Sequence, residues 1–172
     1  YTLDPSTGVV TFTPNKDFVG TPTPANVRAN DENGTVVTTT YTPTVTGVTP
    51  TATPKATTGE QGQTQTGKVE FTPGSNNVPM DDNTPATFED GSTEKVVSGE
   101  GTYSVSQDGT VTFTPEKTFV GTAKGVTVVR QDTNGTKASS TYTPTVTGVT
   151  PTAEPKATTG EQGQTQTGKV EF

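Results

Sequence analysis

Through the middle of the chain, large apolar side chains fall at every second position. Val69 and Phe71 alternate in KVEF, Tyr103 and Val105 in YSVS, and Val111 and Phe113 in VTFT. The pattern continues with Val126 and Val128 in GVTVVRQ, and Tyr142 and Val146 share a face of STYTPTVTG. A period of two puts such residues on one side of an extended strand, where a helix would repeat about every 3.6 positions. Asp108-Gly109 and Asn134-Gly135 lie between these segments and predict hairpin turns, the Asn-Gly pair in the type I′ conformation. No stretch reads as helix. Short strands bounded by Gly, Asp, Asn and Pro predict an all-β fold built of Ig-like β-sandwich modules rather than a barrel.

The pattern is written more than once. Residues 41–71 and 142–172 are the same 31-residue sequence with one change, Thr53 becoming Glu154, at an offset of 101. The offset extends upstream: TFTPNKDFVGT at 11–21 matches TFTPEKTFVGT at 112–122, and Asn33-Gly34-Thr35 matches Asn134-Gly135-Thr136. Before Phe12 the alignment slips by one residue, YTLDPSTGVVTF against YSVSQDGTVTF, a length change of the kind a hairpin loop absorbs. A unit of about 100 residues is a domain rather than a solenoid turn. The chain therefore reads as 1–50, the C-terminal part of one repeat; 51–150, one complete repeat; and 151–172, the start of a further one. On this reading it is a window from a longer tandem array, in which 1–49 lacks the strand equivalent to GKVEF and leaves strand edges open.

Between the units, from Pro50 to Gln65, no large apolar residue occurs. Pro50 and Pro54 favour extended backbone, which predicts a semi-stiff Pro/Thr-rich connector followed by a polar Gln/Gly/Thr segment, either a loop or an edge strand.

Composition narrows the chemistry. The chain has no Cys, His or Trp, one Met (Met80) and one Leu (Leu3), so the usual thiol nucleophile, neutral-pH base and soft-metal ligands are missing. Threonine supplies 43 of 172 residues, enough to build sheet without building core. Val, Phe and Leu together number 29, a thin apolar complement for a folded chain of this length. The formal charge of −7, with 11 Lys and Arg that never cluster, argues against nucleic acid as partner. No apolar run is long enough for a membrane span, and no signal peptide is visible.

Several ordered blocks together resemble a known family. The spacing near 100 residues, TFTPEKTFVGT, DTNGT, STYTPTVTGVTP and GEQGQTQTGKVEF are similar to the CshA-type fibril repeats of streptococcal cell-surface fibrillar adhesins, and the resemblance covers essentially the whole chain. It implies a long adhesin, secreted and anchored to a Gram-positive cell wall. Its tandem repeats would form a surface fibril and its host ligand would be bound by a separate region outside this chain.

Candidate chemistry is sparse. Asp81, Asp82, Glu89 and Asp90, with Glu94 and Glu100 beyond them, concentrate oxygen ligands of the kind calcium takes, but the D-x-[DN]-x-[DN]-G pattern is absent and solvated acidic loops are common. The same carboxylates could in principle act as an acid and base pair, as in glycoside hydrolysis, but on a thin scaffold without a Trp platform. A crosslink from Lys68 to an Asn of the closing strand fails because STYTPTVTG contains no Asn. Both Asn-Gly-Thr sites match the N-glycosylation pattern and are equally explained as turns. No catalytic or cofactor-binding residue and no cofactor is expected, and the partners expected are neighbouring repeats. Function then divides between a structural stalk that spaces a distal binding region from the wall and a weak, multivalent ligand-binding repeat for a host protein or glycan, with an enzyme a distant third. An exposed aromatic or Arg cluster would favour binding. Tyr103 and Tyr142 fall instead within the alternation and read as core.

Overall fold

Why the alternating segments become sheet is visible in how they bury: each presents its alternate apolar residues inward and the threonines between them outward. The computed structural model describes residues 1–172 and contains no helix. The N-terminal region forms two separate hairpins, β1 (Thr2–Leu3) with β2 (Val10–Thr11), and β3 (Ala25–Asn30) with β4 (Val36–Tyr41). Next come β5 (Thr51–Thr53), β6 (Lys55–Glu60), β7 (Gln65–Lys68) and β8 (Glu70–Thr72). The chain continues through β9 (Thr87–Phe88), β10 (Glu94–Val97), β11 (Gly101–Val105) and β12 (Thr110–Pro115). It closes with β13 (Gly121–Thr122), β14 (Val126–Gln131) and β15 (Lys137–Thr147).

Two sheets make a sandwich between residues 55 and 147. One has the order β10-β11-β12-β7; the other runs β13-β15-β14-β9, with β6 added alongside β15. The core is one cluster fed from both sheets: Tyr103, Val105, Val111 and Phe113 from the first, and Phe88, Val126, Val128, Tyr142 and Val146 from the second. Val69, at the break between β7 and β8, Ala86 and Ala123 complete it. All the alternating positions named from the sequence except the half-buried Phe71 are buried in this cluster.

Two expectations need correction. Part of the stretch from Pro50 to Gln65 expected as connector is sheet, since residues 55–60 form β6, parallel to the last strand; of the two alternatives for the Gln-rich part the edge strand is the one observed, Gln65 beginning β7 at the edge of the first sheet, antiparallel to β12. Strand pairing uses backbone groups, so a run without large apolar residues can still be a sheet strand when its neighbours supply the core. The Asn134-Gly135 turn is also not type I′, which needs positive φ at both central residues. Only Gly135 has positive φ (87°), and no non-glycine residue in the chain does. Asp132 sets the geometry. Its Oδ1 accepts the N–H groups of Asn134 and Thr136 at 2.9 Å each, while the Gly135 N–H donates to the Asp132 carbonyl and the Asp132 N–H to Thr136 O. The result is a type I turn closed by a left-handed glycine. The Asp108-Gly109 turn follows the same scheme, with Gly109 N–H donating to Ser106 O and Ser106 N–H to Thr110 O.

Candidate functional site

The most connected polar site lies where the polar segment 55–65 meets the last strand. β6 runs parallel to β15 from Lys55 opposite Tyr142 to Glu60 opposite Thr147. Behind this ladder the Thr57 hydroxyl donates to Gln65 Oε1 at 2.6 Å, and the Tyr142 hydroxyl completes the chain by donating to Thr57 Oγ1 at 2.8 Å. Gln65 Nε2 donates to the carbonyl of Thr145 at 3.0 Å. Gln65 is nearly fully buried, so satisfying its amide on both sides removes the desolvation penalty an unpaired amide would carry. Burial pushes the Tyr142 hydroxyl above its usual pKa, partly offset by Thr57. It therefore stays a neutral donor across the physiological range. At the far end the Gln61 N–H donates to Thr147 O at 2.8 Å, Thr147 Oγ1 donates to Gly59 O at 3.1 Å, and Gln61 Nε2 donates to Lys117 O at 2.8 Å.

Glycine makes this seam possible by its size. A Cβ at Gly67 would lie 2.7 Å from Tyr142 Cε2 and 2.9 Å from Lys55 Cγ, and one at Gly59 would lie 2.9 Å from Gln65 Cγ. Separations below 3 Å cannot be accommodated beside a ring held by core packing. The sequence reading missed these residues as a site. The available signal was the unchanged repetition of GEQGQTQTG at 59–67 and 160–168.

The acidic residues named from the sequence do not gather, and no three carboxylates converge on one point. Asp81 caps its own turn, accepting from Asn83 N–H at 3.0 Å and Thr84 Oγ1 at 2.7 Å; the Thr84 bond leads in holding its carboxyl below the usual range. Asp82 instead meets Arg130, whose Nη2 donates to its Oδ1 at 2.9 Å while the guanidinium lies 6.0 Å from the Phe71 ring centre. Glu89 and Asp90 flank Lys95 at 3.8 and 4.0 Å, and Asp90 accepts from the Ser92 hydroxyl at 2.6 Å, the main cause of its lowered pKa. Glu100 is buried and accepts from the Lys124 N–H at 3.2 Å and the Tyr103 hydroxyl at 3.5 Å. Lys68 sits exposed, 3.5 Å from Asp108. Tyr103 and Tyr142 are both fully buried core residues.

The hairpin region also touches the sandwich. Lys16 Nζ donates to Thr133 O at 3.2 Å, beside a cleft of about 220 Å³ lined by residues including Phe18, Val19, Val48 and Asn134.

The family model for the surface adhesin CshA repetitive domain matches residues 1–45 and again 47–146. A solved relative is the NMR structure of repeat domain 13 of the fibrillar adhesin CshA from Streptococcus gordonii. It is 54% identical over 41% of this chain and 90% of that one, with a TM-score of 0.24. No curated protein matches the chain. With two successive matches that leave out little beyond the final segment, the chain belongs to the CshA surface-adhesin repeat family.

Proposed function

We propose that the chain is a section of the stalk of a cell-surface fibrillar adhesin, in which residues 51–150 form one complete repeat, 1–50 the C-terminal part of another and 151–172 the beginning of a third. The stalk, secreted and wall-anchored, spaces a distal binding region from the cell. The observation that carries this reading is the parallel pairing of β6 and β15, the strands by which the chain enters and leaves the sandwich. Tension applied through the chain pulls Lys55 and Thr147 from opposite ends of one ladder. It loads all of that ladder's hydrogen bonds together in shear rather than opening them one at a time. Forced unfolding is governed by the unfolding rate, so a barrier that needs many bonds broken at once is what a load-bearing spacer requires. The Thr57–Gln65–Tyr142 chain ties the same two strands by side chains. The Lys16 contact with the Thr133 carbonyl supports limited bending between successive units.

A compact unit of about 100 residues has a radius of gyration near 13 Å, so each repeat adds roughly 35–45 Å with its junction. Small-angle scattering on chains of two, four and eight repeats is expected to give a maximum dimension that grows nearly linearly with repeat number. The same chains are expected to show no saturable binding to host matrix proteins or glycans. Growth with the square root of repeat number would mean freely jointed units, and tight binding by a single repeat would replace the spacer with a ligand-binding module.

A further inference from the structure

Where residues 1–50 give way to the sandwich, two stretches of backbone lie side by side with no hydrogen bond between them. β5 and β8 pair antiparallel, with Thr51 opposite Thr72. Carrying that register two residues outward sets Pro50 opposite Pro73 and Thr49 opposite Gly74. Proline has no N–H, so the ladder cannot continue through facing prolines, and the two chains stay together by contact instead. Pro50 is buried, although no residue of 1–49 is. A Cβ at Gly74 would lie 2.5 Å from the Thr49 carbonyl oxygen and 2.6 Å from its nitrogen. Gly74 is not among the glycines with positive φ, so the close approach of Thr49, and not backbone conformation, is what requires glycine there.

Both sides of this contact are anchored. On the sandwich side Gly74 opens a loop in which the Val78 N–H donates to Ser75 O at 3.1 Å. That loop is tied to the Asp132 turn, since Thr133 N–H donates to Pro79 O at 2.9 Å and Asp81 N–H to Gln131 O at 3.0 Å. The Thr133 carbonyl on the same turn is the acceptor of Lys16 Nζ. On the preceding side Gly20 and Val45 exchange N–H bonds to carbonyls at 2.9 Å, which joins the Lys16 loop to the segment leading into Thr49. Phe18 on that loop packs on Phe12 at 6.3 Å and 77°, as Phe119 does on Phe113 at 6.4 Å and 84°. Tyr1 and Phe12 at 4.7 Å and 38° likewise repeat Tyr103 and Phe113 at 4.6 Å and 33°, and Tyr1 meets Tyr41 at 6.3 Å as Tyr103 meets Tyr142 at 6.5 Å. The end of residues 1–50 therefore has the build of the sandwich's own far end, where Lys117 and Thr150 stand in the places of Lys16 and Thr49.

We propose that the loop 74–81 and the turn 131–136 form a docking surface for the preceding repeat, which holds successive repeats at one fixed bend and rotation. Two contacts set that geometry: Thr49 in the notch left by Gly74, and Lys16 on the Thr133 carbonyl. A peptide link by itself leaves two domains free to swing. A second contact away from the link removes much of that freedom, and Pro50, whose ring fixes φ, stiffens the link itself. The far end of the sandwich carries VTGVT at 146–150, identical to 45–49, so the same contact can recur from unit to unit. Its two surfaces differ, which makes it heterologous, and a heterologous contact repeated along a chain gives a path of constant twist. This deepens the stalk reading and rests on its repeat boundaries. A flexible joint would leave a spacer of loosely strung units, and a fixed joint would survive loss of the spacer role, which scattering and binding on the repeat chains test separately.

The chain contains no cysteine, so spin labels attach only where thiols are introduced. Thr40→Cys with Val96→Cys spans the joint, and Val96→Cys with Ser139→Cys gives a reference pair inside the sandwich; all three positions are exposed. Pulsed electron resonance on the 172-residue chain is expected to give a single distance across the joint, about as narrow as the reference. Gly74→Val is expected to broaden it at least about twofold, with the reference pair and the thermal unfolding of the 51–147 sandwich unchanged. Gly74→Ala, which adds the Cβ alone, and Lys16→Met, which keeps the chain length and removes the donor, are expected to broaden it less. A distribution across the joint much broader than the reference in the unaltered chain overturns the proposal, as does a narrow one that neither Gly74→Val nor Lys16→Met changes.

Discussion

The two aromatic clusters of this chain have nearly the same internal geometry and opposite fates in water. Around Phe113 the rings are sealed between sheets; around Phe12 no residue of 1–49 is buried. The difference is not in the aromatic residues, which match one for one. It lies in what covers them: over the first cluster lie the polar segment 55–68 and the buried Val69, Ala86 and Phe88 that follow it, and residues 1–49 contain no equivalent of either. Ring arrangement is set by local hairpins and their registers, while burial of the rings is set by what lies across them. Since apolar burial stabilises by area removed from water, equal clusters contribute unequally.

The sharpest way to break this comparison is to delete the same ring from each cluster. Phe113→Ala is expected to destabilise the sandwich by about 3–5 kcal/mol, and Phe12→Ala to leave the main unfolding transition where it is. Urea denaturation followed by tyrosine fluorescence measures both; equal shifts would mean the two regions unfold as one unit. A smaller effect comes from overfilling. Gly67→Val forces a side chain against Tyr142 and is expected to cost about 1–3 kcal/mol, whereas Gly168→Val leaves the same transition unmoved.

The twin turns sharpen the contrast further. Asp132 and Asp31 each accept two backbone N–H bonds in equivalent loops, but Asp132 is fully buried and Asp31 exposed. Asp132→Ala leaves two partly buried N–H donors without their acceptor and is expected to lower stability by about 1–3 kcal/mol, with Asp31→Ala costing a few tenths, both read by thermal melting.

The smallest effect is in pH. Asp4 is held at about 2, chiefly by the Ser6 hydroxyl, and Asp108 well below the usual range, chiefly by the Ser106 hydroxyl. Serine and aspartate have traded places between the two loops. A carboxylate whose folded pKa is depressed contributes stability that is complete above its unfolded value and is lost as pH falls through the folded one. Both loops are therefore expected to be insensitive between about pH 5 and 8 and to loosen only below about 4. Carboxyl carbon shifts followed by NMR give each midpoint, and an ordinary value for Asp108 would remove the Ser106 bond from the account.

Strand positions, the inward residues Tyr103, Phe113, Val128 and Tyr142, and the presence of both turns could be read from alternation and from Gly after Asp or Asn. These signals are local: a side chain two positions along a strand faces the same way whatever the strand pairs with. The acidic span was readable as carboxylates but not as ligands or non-ligands, because Arg130 and Lys95, which pair with three of them, come from β14 and β10. The Thr57–Gln65–Tyr142 seam was not readable. Tyr142 was readable as core, but Thr57, 85 residues away from it, and Gln65 carry no hydrophobic signal that separates them from the surrounding threonines.

By itself the sequence determined the all-β class, the repeat offset of 101, the inward faces of the strands and the family, since period, duplication and motif order are properties of the chain taken along its length. Tertiary structure alone decided that the polar stretch after Pro50 is sheet rather than connector, that Asp132 and not Asn134 sets its turn, and which of two matching aromatic clusters is core. Each of those outcomes depends on a partner strand brought from elsewhere. Hydrogen bonding and burial across that distance are energies of the folded arrangement, which no local pattern contains.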